Sequence, residues 1–213
     1  MKYHLYPIQK TSAKAAARSV LHASAINYPA DLVYSGGPVV KTAVSHNIYI
    51  NCSSSCYGGP QVFIDSINNS SFIHIVDQYT GSTANHRYAA GSNLAVNEPL
   101  YDNYLSQGDL FAMIHSAALR FGHGYTNIYH VFLPSGADTC FDLSTTCYSP
   151  DNVSTWVFCA YHGSIDFPDS TGHVLFTILP YQNVPGCQQT GGPNSSLVDS
   201  TASTMSHEYI ETI

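Results

Sequence analysis

Short runs of apolar residues recur through the C-terminal half of the chain, and Pro, Gly, Asp or Ser bounds each run. Three of them, at residues 127–133, 153–161 and 173–179, are rich in β-branched and aromatic side chains and predict β-strands. Nearer the N-terminus, apolar and polar residues alternate over residues 39–51, which predicts a fourth strand, and residues 87–96 predict a strand pair. The chain therefore has enough strand to build a sheet.

Apolar residues at helical spacing mark other segments. Residues 106–121 give the clearest prediction, because their apolar positions share one face and Gly122 follows as a stop signal. Residues 61–78 predict one helix or two short ones, and the alanine-rich residues 12–25 predict a further short helix. Residues 195–213 predict a final helix with these apolar positions at spacings of three and four: Val198, Ala202, Met205, Tyr209 and Ile213.

The order of these segments predicts one main domain. Residues 1–33 are a polar N-terminal lead-in, and Gly36, Gly37 and Pro38 then break the chain. Residues 34–213 are expected to form a single α/β domain. Because the final helix reaches Ile213 without a stop signal, we expect the domain to be truncated at its C-terminus.

Composition favours a protein that works outside the cytoplasm. Charged residues are only 10% of the chain and there are six cysteines, a combination typical of secreted proteins. From Phe121 onward the chain has eight acidic residues and neither Lys nor Arg, which argues against nucleic acid as a partner. No run of 18 apolar residues exists, so no membrane span is predicted, and residues 1–25 lack a signal-peptide core.

The cysteines predict disulfide bonds. Six cysteines allow 15 pairings, and local spacing favours Cys52 with Cys56 and Cys140 with Cys147, which leaves Cys159 with Cys187. A four-cysteine zinc site is a weaker alternative because paired Cys-x-x-Cys spacing is missing. A thiol nucleophile at Cys159 near His162 is the other alternative.

The sharpest candidate for chemistry lies in the final helix. His207 and Glu211 are four residues apart and so project from the same helix face, as two ligands of one zinc ion require. Glu208 follows His207 where zinc peptidases with a His-Glu-x-x-His helix carry their general base. The simpler interpretation is an exposed helix face that happens to include His and Glu. The chain has only three glutamates, however, and two fall in this motif, which favours a metal-binding or catalytic role.

The same helix face carries small hydroxyl residues where a solvent face would carry Lys, Arg or Gln. This pattern predicts that something approaches the helix closely, so that the helix is buried on one side and lines a cleft on the other. A third metal ligand would still be needed. His162 and His173 could reach the helix if their strands lie beside it, but neither is singled out. The small residues concerned are Ser196, Ser200, Ser203 and Thr204.

Other sequence motifs are few. No Gly-x-Ser-x-Gly elbow, phosphate-binding glycine loop or Asp-Thr-Gly occurs, which disfavours hydrolases of those kinds. Asn-x-Ser sequons matter only in a glycosylating host. They occur at Asn51, Asn68, Asn69, Asn152 and Asn194.

Five blocks, in order, carry a family resemblance. They are Tyr-Ser-Gly-Gly-Pro-Val at residues 34–39, Asn-Ile-Tyr-His-Val-Phe-Leu at 127–133, Phe-Cys-Ala-Tyr-His at 158–162, Leu-Pro-Tyr at 179–181 with Gly-Cys at 186–187, and Met-Ser-His-Glu-Tyr-Ile-Glu at 205–211. With them the chain resembles the exordium-like (phosphate-induced protein 1) family of secreted proteins from residue 32 onward. The chain departs from the family's pattern at Ser35, where the family usually has His, and lacks the family's segment after the helix.

The resemblance implies a secreted protein, linked in plants to growth and cell-wall responses, with a zincin-like helix. We therefore expect an α/β (α+β) fold with helices packed on a twisted mixed β-sheet, zincin-like order and a C-terminal motif helix. The leading hypothesis is a zinc-dependent, metallopeptidase-like hydrolase that acts on a peptide or cell-wall component, with His207 and Glu211 as metal ligands and Glu208 as base. The alternative is a non-catalytic extracellular binding or signalling protein, a pseudoenzyme. The sequence leaves the choice between enzyme and binding protein open.

Overall fold

A computed structural model describes residues 2–7, 34, 36–142 and 144–213. The helix predicted at residues 12–25 and most of the lead-in lie outside these residues. Eight strands and four helices are present in the described part, together with two 3₁₀ helices at Ser54–Tyr57 and Ser71–Val76. The strands are β1 (Lys2–Pro7), β2 (Ala43–Ile50), β3 (Tyr88–Val96), β4 (Gly124–Phe132), β5 (Thr139–Cys140), β6 (Cys147–Tyr148), β7 (Phe158–Asp166) and β8 (His173–Leu179). The helices are α1 (Pro60–Asn68), α2 (Asp77–Thr80), α3 (Gln107–Phe121) and α4 (Ser196–Thr212).

Six strands form one mixed sheet in the order β1-β7-β8-β4-β2-β3. Strands β3, β2, β4 and β8 are mutually parallel, whereas β7 runs antiparallel to β8 and β1 runs antiparallel to β7. The α/β fold with a mixed sheet is thus confirmed. One row of paired positions crosses the whole sheet: Leu94, Ile48, Val131, Ile178, Tyr161 and Leu5.

The sheet is covered on both faces, which explains the apolar strands in its centre. On one face, the Leu110–Ile114–Ala117 stripe of α3 packs against sheet residues that include Val131 and Ile178. On the other face, α1 and α4 complete two smaller core clusters, in which Met205 and Tyr209 of α4 are fully buried. The motif helix is therefore held by the core along its length.

The helix predicted at residues 106–121 is confirmed as α3, and its end caps explain where it begins and ends. The Ser106 side chain accepts a hydrogen bond from the Asp109 backbone, and the Asp109 carboxylate accepts one from the Ser106 backbone. This reciprocal cap satisfies two backbone donors that a helix start otherwise leaves free. Gly122 then ends the helix at a positive φ of 118°.

Other predictions needed correction. The strand pair at residues 87–96 is wrong, because β3 is a single strand that pairs with the parallel strand β2 rather than with itself. Residues 153–157 precede β7 as a turn, not as strand. The segment at 61–78 confirms the second of its two predicted alternatives, since it consists of two short helices, α1 and α2, with the 3₁₀ helix Ser71–Val76 between them. Strand β1 was not predicted at all, and it pairs with β7 at the edge of the sheet.

All three predicted disulfides are present: Cys52–Cys56, Cys140–Cys147 and Cys159–Cys187. No free cysteine remains among the residues described, so the four-cysteine zinc site and the Cys159 nucleophile are both wrong. Three disulfides are consistent with an extracytoplasmic protein. Across the part of the chain that the structure covers, none of the helices is long and apolar enough to cross a membrane.

Candidate functional site

The motif helix α4 begins at a capped N-terminus and runs back along the sheet over β7 and β8. The Ser195 side chain accepts a hydrogen bond from the Val198 backbone, which caps the helix. Asp199 in the first turn accepts hydrogen bonds from the backbone and side chain of Asn194. These contacts fix the N-terminal end of α4, while Tyr209 packs into the core near its other end.

Three of the four small hydroxyl residues of α4 face the protein's own chain, whereas Ser203 lines a cavity beside α1. The Ser200 Oγ accepts a hydrogen bond from the Gln189 backbone at 2.7 Å, and Thr204 Oγ1 donates one to Gln182 Oε1 at 2.9 Å. Both hydroxyl residues are buried. The predicted close approach is confirmed, but the prediction that this face lines a cleft is wrong at these positions. Small side chains are needed here because the segment after β8 packs directly on the helix.

His207 and Glu211 lie together on α4, as their spacing predicts. The His207 Nε2 is 3.3 Å from Glu211 Oε2, and both side chains are partly exposed, at 35% and 43%. Two ligands held about 2.0–2.1 Å from a tetrahedral zinc ion lie roughly 3.3 Å apart. The observed distance equals that of two zinc ligands, and it is also that of an ordinary ion pair between His and Glu.

Glu208 is directed into the protein. Its side chain is fully buried, and its Oε2 lies 2.8 Å from Nδ1 of His162 on strand β7. Its other oxygen, Oε1, has no hydrogen-bond partner among the described residues. Burial raises the pKa of Glu208 from 4.5 to about 8, while burial lowers the pKa of His162. Both pKa shifts favour a neutral pair, in which the carboxyl group is protonated and the imidazole ring is uncharged.

His162 is the residue that sequence reasoning did not select. It lies on β7, faces α4 and also comes within 3.8 Å of Glu211, through Nδ1 and Oε2. The other candidate, His173, pairs instead with Asp166 at 2.7 Å, away from the motif. The only sequence signal was that His173 lies on a predicted strand and that His162 directly follows one. The sequence does not indicate which of the two strands lies beneath α4.

A cavity of about 580 Å³ adjoins this cluster. Its walls are mainly apolar and come from the segment around α2 and from the end of α4, while His162 and Glu211 supply polar groups. A larger cavity of about 720 Å³ lies at the start of α3 but contains none of the motif residues. The apolar residues that line the cavity beside the motif are Ile75, Val76, Tyr79, Ile210 and Ile213.

A complete metal centre needs more than this pair. Across the described ranges, no group of three or more His, Cys, Asp or Glu side chains is arranged to hold a metal ion. His207 and Glu211 supply at most two ligands, and no third protein ligand joins them among these residues. Glu208, bonded to His162, is not positioned as a ligand.

Comparison with protein-family models, with curated proteins and with solved structures finds no match to this chain.

Proposed function

We propose that the protein is a secreted, exordium-like protein that acts as a zinc-dependent, metallopeptidase-like hydrolase. The observation that carries the proposal is the 3.3 Å separation of His207 Nε2 and Glu211 Oε2, which suits two ligands of one zinc ion. Its three disulfides support secretion. The order of elements, in which the motif helix follows the last strand of a mixed sheet, supports a zincin-like arrangement.

Zinc in such a site supplies Lewis acidity and lowers the pKa of a bound water to about 7. The chain's own contribution is proton handling. The carboxyl group of Glu208 contacts His162, and burial raises its pKa to about 8, which suits a group that must both accept and release a proton. His162 orients this carboxyl group, and the apolar cavity beside it has room for a peptide side chain.

A second function, non-catalytic binding outside the cell, is favoured by a different observation. Glu208 is fully buried and contacts His162, whereas His207 and Glu211 are partly exposed. In a binding protein this buried pair would be purely structural. The two functions differ in what they require of Glu208, so a single substitution separates them.

Metal content tests the zinc site first. The native protein, His207→Ala and Glu211→Ala would be purified in parallel and their zinc measured by mass spectrometry. His115→Ala is the matched control, since His115 is similarly exposed at 29% but pairs with Asp169. We expect near-equimolar zinc in the native protein and the control, and loss of zinc in both motif variants. Absence of zinc from the native protein, or its retention in His207→Ala, would overturn the proposed site.

Turnover of a peptide library tests the role of Glu208. In an enzyme, Glu208→Gln should keep zinc and lower the rate by about 10²–10⁴-fold, the range for loss of a general acid or base. Equal turnover in the native protein and in Glu208→Gln would assign the reaction elsewhere. Zinc binding with no turnover of any peptide would favour the non-catalytic function.

A further inference from the structure

Five asparagines stand in the Asn-x-Ser pattern that accepts an N-linked glycan. The third residue is Ser in every case, so the sequence itself does not rank them. The structural surroundings of the five side-chain amides do differ. None of these asparagines belongs to the site of the proposed hydrolase activity. The five asparagines are Asn51, Asn68, Asn69, Asn152 and Asn194.

Two of the amides hold chain segments together. The Asn51 side chain donates to the Glu98 carbonyl at 2.8 Å and accepts from the Glu98 backbone N–H at 2.7 Å, which ties the end of β2 to the segment after β3. The Asn194 side chain donates to Asp199 Oδ1 at 2.8 Å, at the start of α4. A sugar on either nitrogen would have to share an atom that already donates within the fold.

The two asparagines at the end of α1 are also engaged. Asn68 is half-buried, and its Oδ1 accepts a hydrogen bond from the Tyr88 backbone at 2.9 Å. The Asn69 Nδ2 donates to the Asp65 carbonyl at 2.7 Å and closes the last turn of the helix. The Asn69 nitrogen therefore already donates within the fold, whereas the Asn68 nitrogen has no hydrogen-bond partner among the described residues but belongs to a half-buried side chain.

Asn152 is the one asparagine of the five that combines an exposed side chain with an amide nitrogen that makes no hydrogen bond among the described residues. Residues 151–154 are all exposed, and Val153, the middle residue of the sequon, is 79% exposed. The Asn152 Nδ2 has no hydrogen-bond partner in the described part of the chain, while its Oδ1 accepts from Ser154 Oγ at 2.6 Å. The turn itself is held by the Asn152 backbone carbonyl, which accepts from the backbone of Thr155 and Trp156. A substituent on Nδ2 therefore costs no hydrogen bond of the fold.

We propose that Asn152 is the N-glycosylation site of this protein. An oligosaccharide is transferred from a polyprenyl diphosphate carrier. A bond forms between the anomeric carbon and Nδ2 of Asn152, the bond from that carbon to the diphosphate oxygen breaks, Nδ2 releases a proton and the polyprenyl diphosphate leaves. The attached sugar covers the exposed Val153 and projects into solvent.

The position of Asn152 keeps the glycan away from the motif helix. Tyr148 and Trp156, on either side of it in sequence, pack into the core cluster that α3 covers. Helix α4 packs on the opposite face of the sheet, in clusters that contain Met205 and Tyr209. Glycosylation at Asn152 is therefore compatible with any activity of His207 and Glu211 and does not depend on it.

The experiment is to secrete the full chain from a glycosylating eukaryotic cell behind a cleavable leader, together with Asn152→Gln and the matched control Asn194→Gln. Glycans are removed with peptide-N-glycosidase in heavy-oxygen water, and mass spectrometry measures the occupancy of each sequon in secreted and cell-retained protein. We expect Asn152 to be occupied several-fold more than any other sequon. The gel shift on glycosidase treatment should persist in Asn194→Gln and disappear in Asn152→Gln.

Failure of this proposal is distinct from failure of the zinc site. An unoccupied Asn152, whether another sequon is used or none is, would overturn it. Occupancy at another site equal to that at Asn152 would equally contradict the argument from free amide nitrogens. Zinc content of Asn152→Gln serves as an independent readout, and we expect it to equal that of the native protein.

Discussion

Replacing Glu208 with Gln removes an ionisable group from the interior and nearly preserves the side chain's shape. Glu208 is fully buried, and burial raises the pKa of its carboxyl group from 4.5 to about 8. Between these two values the unfolded chain releases the proton while the folded protein keeps it. The free energy of unfolding of the native protein must therefore fall as pH rises through this window.

The size of the effect follows from the two pKa values. Below pH 4.5 the carboxyl group is protonated in both states, so its favourable contribution is fully present. Above that pH each further unit lowers the free energy of unfolding by up to about 1.4 kcal/mol, until the folded group also ionises near pH 8. Between pH 5 and pH 7 the native protein should lose about 2.5 kcal/mol relative to Glu208→Gln. The lowered pKa of His162 acts in both proteins and largely cancels in this difference.

Urea denaturation at a series of pH values measures this difference. The single tryptophan, Trp156, gives a fluorescence signal, and chelator in all samples removes any bound metal. Glu98→Gln, at the one glutamate outside the motif, gives the background effect of exchanging a carboxylate for an amide. If the difference between native protein and Glu208→Gln does not change with pH, Glu208 is not held protonated in the interior and the buried pair with His162 is refuted.

Two further predictions concern the scaffold that holds α4. Replacing Cys159 and Cys187 together with Ala removes a disulfide with a sequence separation of 28, and should lower the free energy of unfolding by about 3–4 kcal/mol, measured in urea against the native protein with its disulfides intact. Gly58→Ala should cost about 2–4 kcal/mol, because Gly58 has a φ of 77° and an added Cβ would lie 2.9 Å from the Val198 backbone of α4. Gly81→Ala, at a φ of 64° with open space around it, should cost only about 1–2 kcal/mol; an equal loss in both variants would contradict the contact with α4.

Local patterns were enough to predict much of the secondary structure. The apolar face of α3 and the end of this helix at Gly122 could be predicted from the sequence, because helix periodicity and helix caps depend on only a few neighbouring residues. The runs that became β4 and β8 were visible for a similar reason, since strands buried on both faces are almost continuously apolar. The disulfide pairs Cys52–Cys56 and Cys140–Cys147 followed from short spacing, which left one remaining pair.

Pairing between distant segments was not predictable in the same way. Residues 88–96 have the composition of a strand, but only the adjacent parallel strand β2 decides that they form one strand and not a hairpin. The same holds for β1, whose antiparallel partner β7 lies more than 150 residues away along the chain. Such contacts depend on the closure of long loops and on burial, and no local pattern records either.

In the candidate site, too, some contacts follow from the local sequence and others depend on the tertiary structure. The sequence by itself determined that His207 and Glu211 share a helix face, because a spacing of four residues makes them neighbours on any α-helix. Only the tertiary structure decided that Glu208 is buried against His162, since that depends on β7 lying beneath α4. It also decided that the small hydroxyl face packs on Gln182 and Gln189. Helix geometry is local, whereas the side of a helix that is removed from water is set by what the rest of the chain places against it.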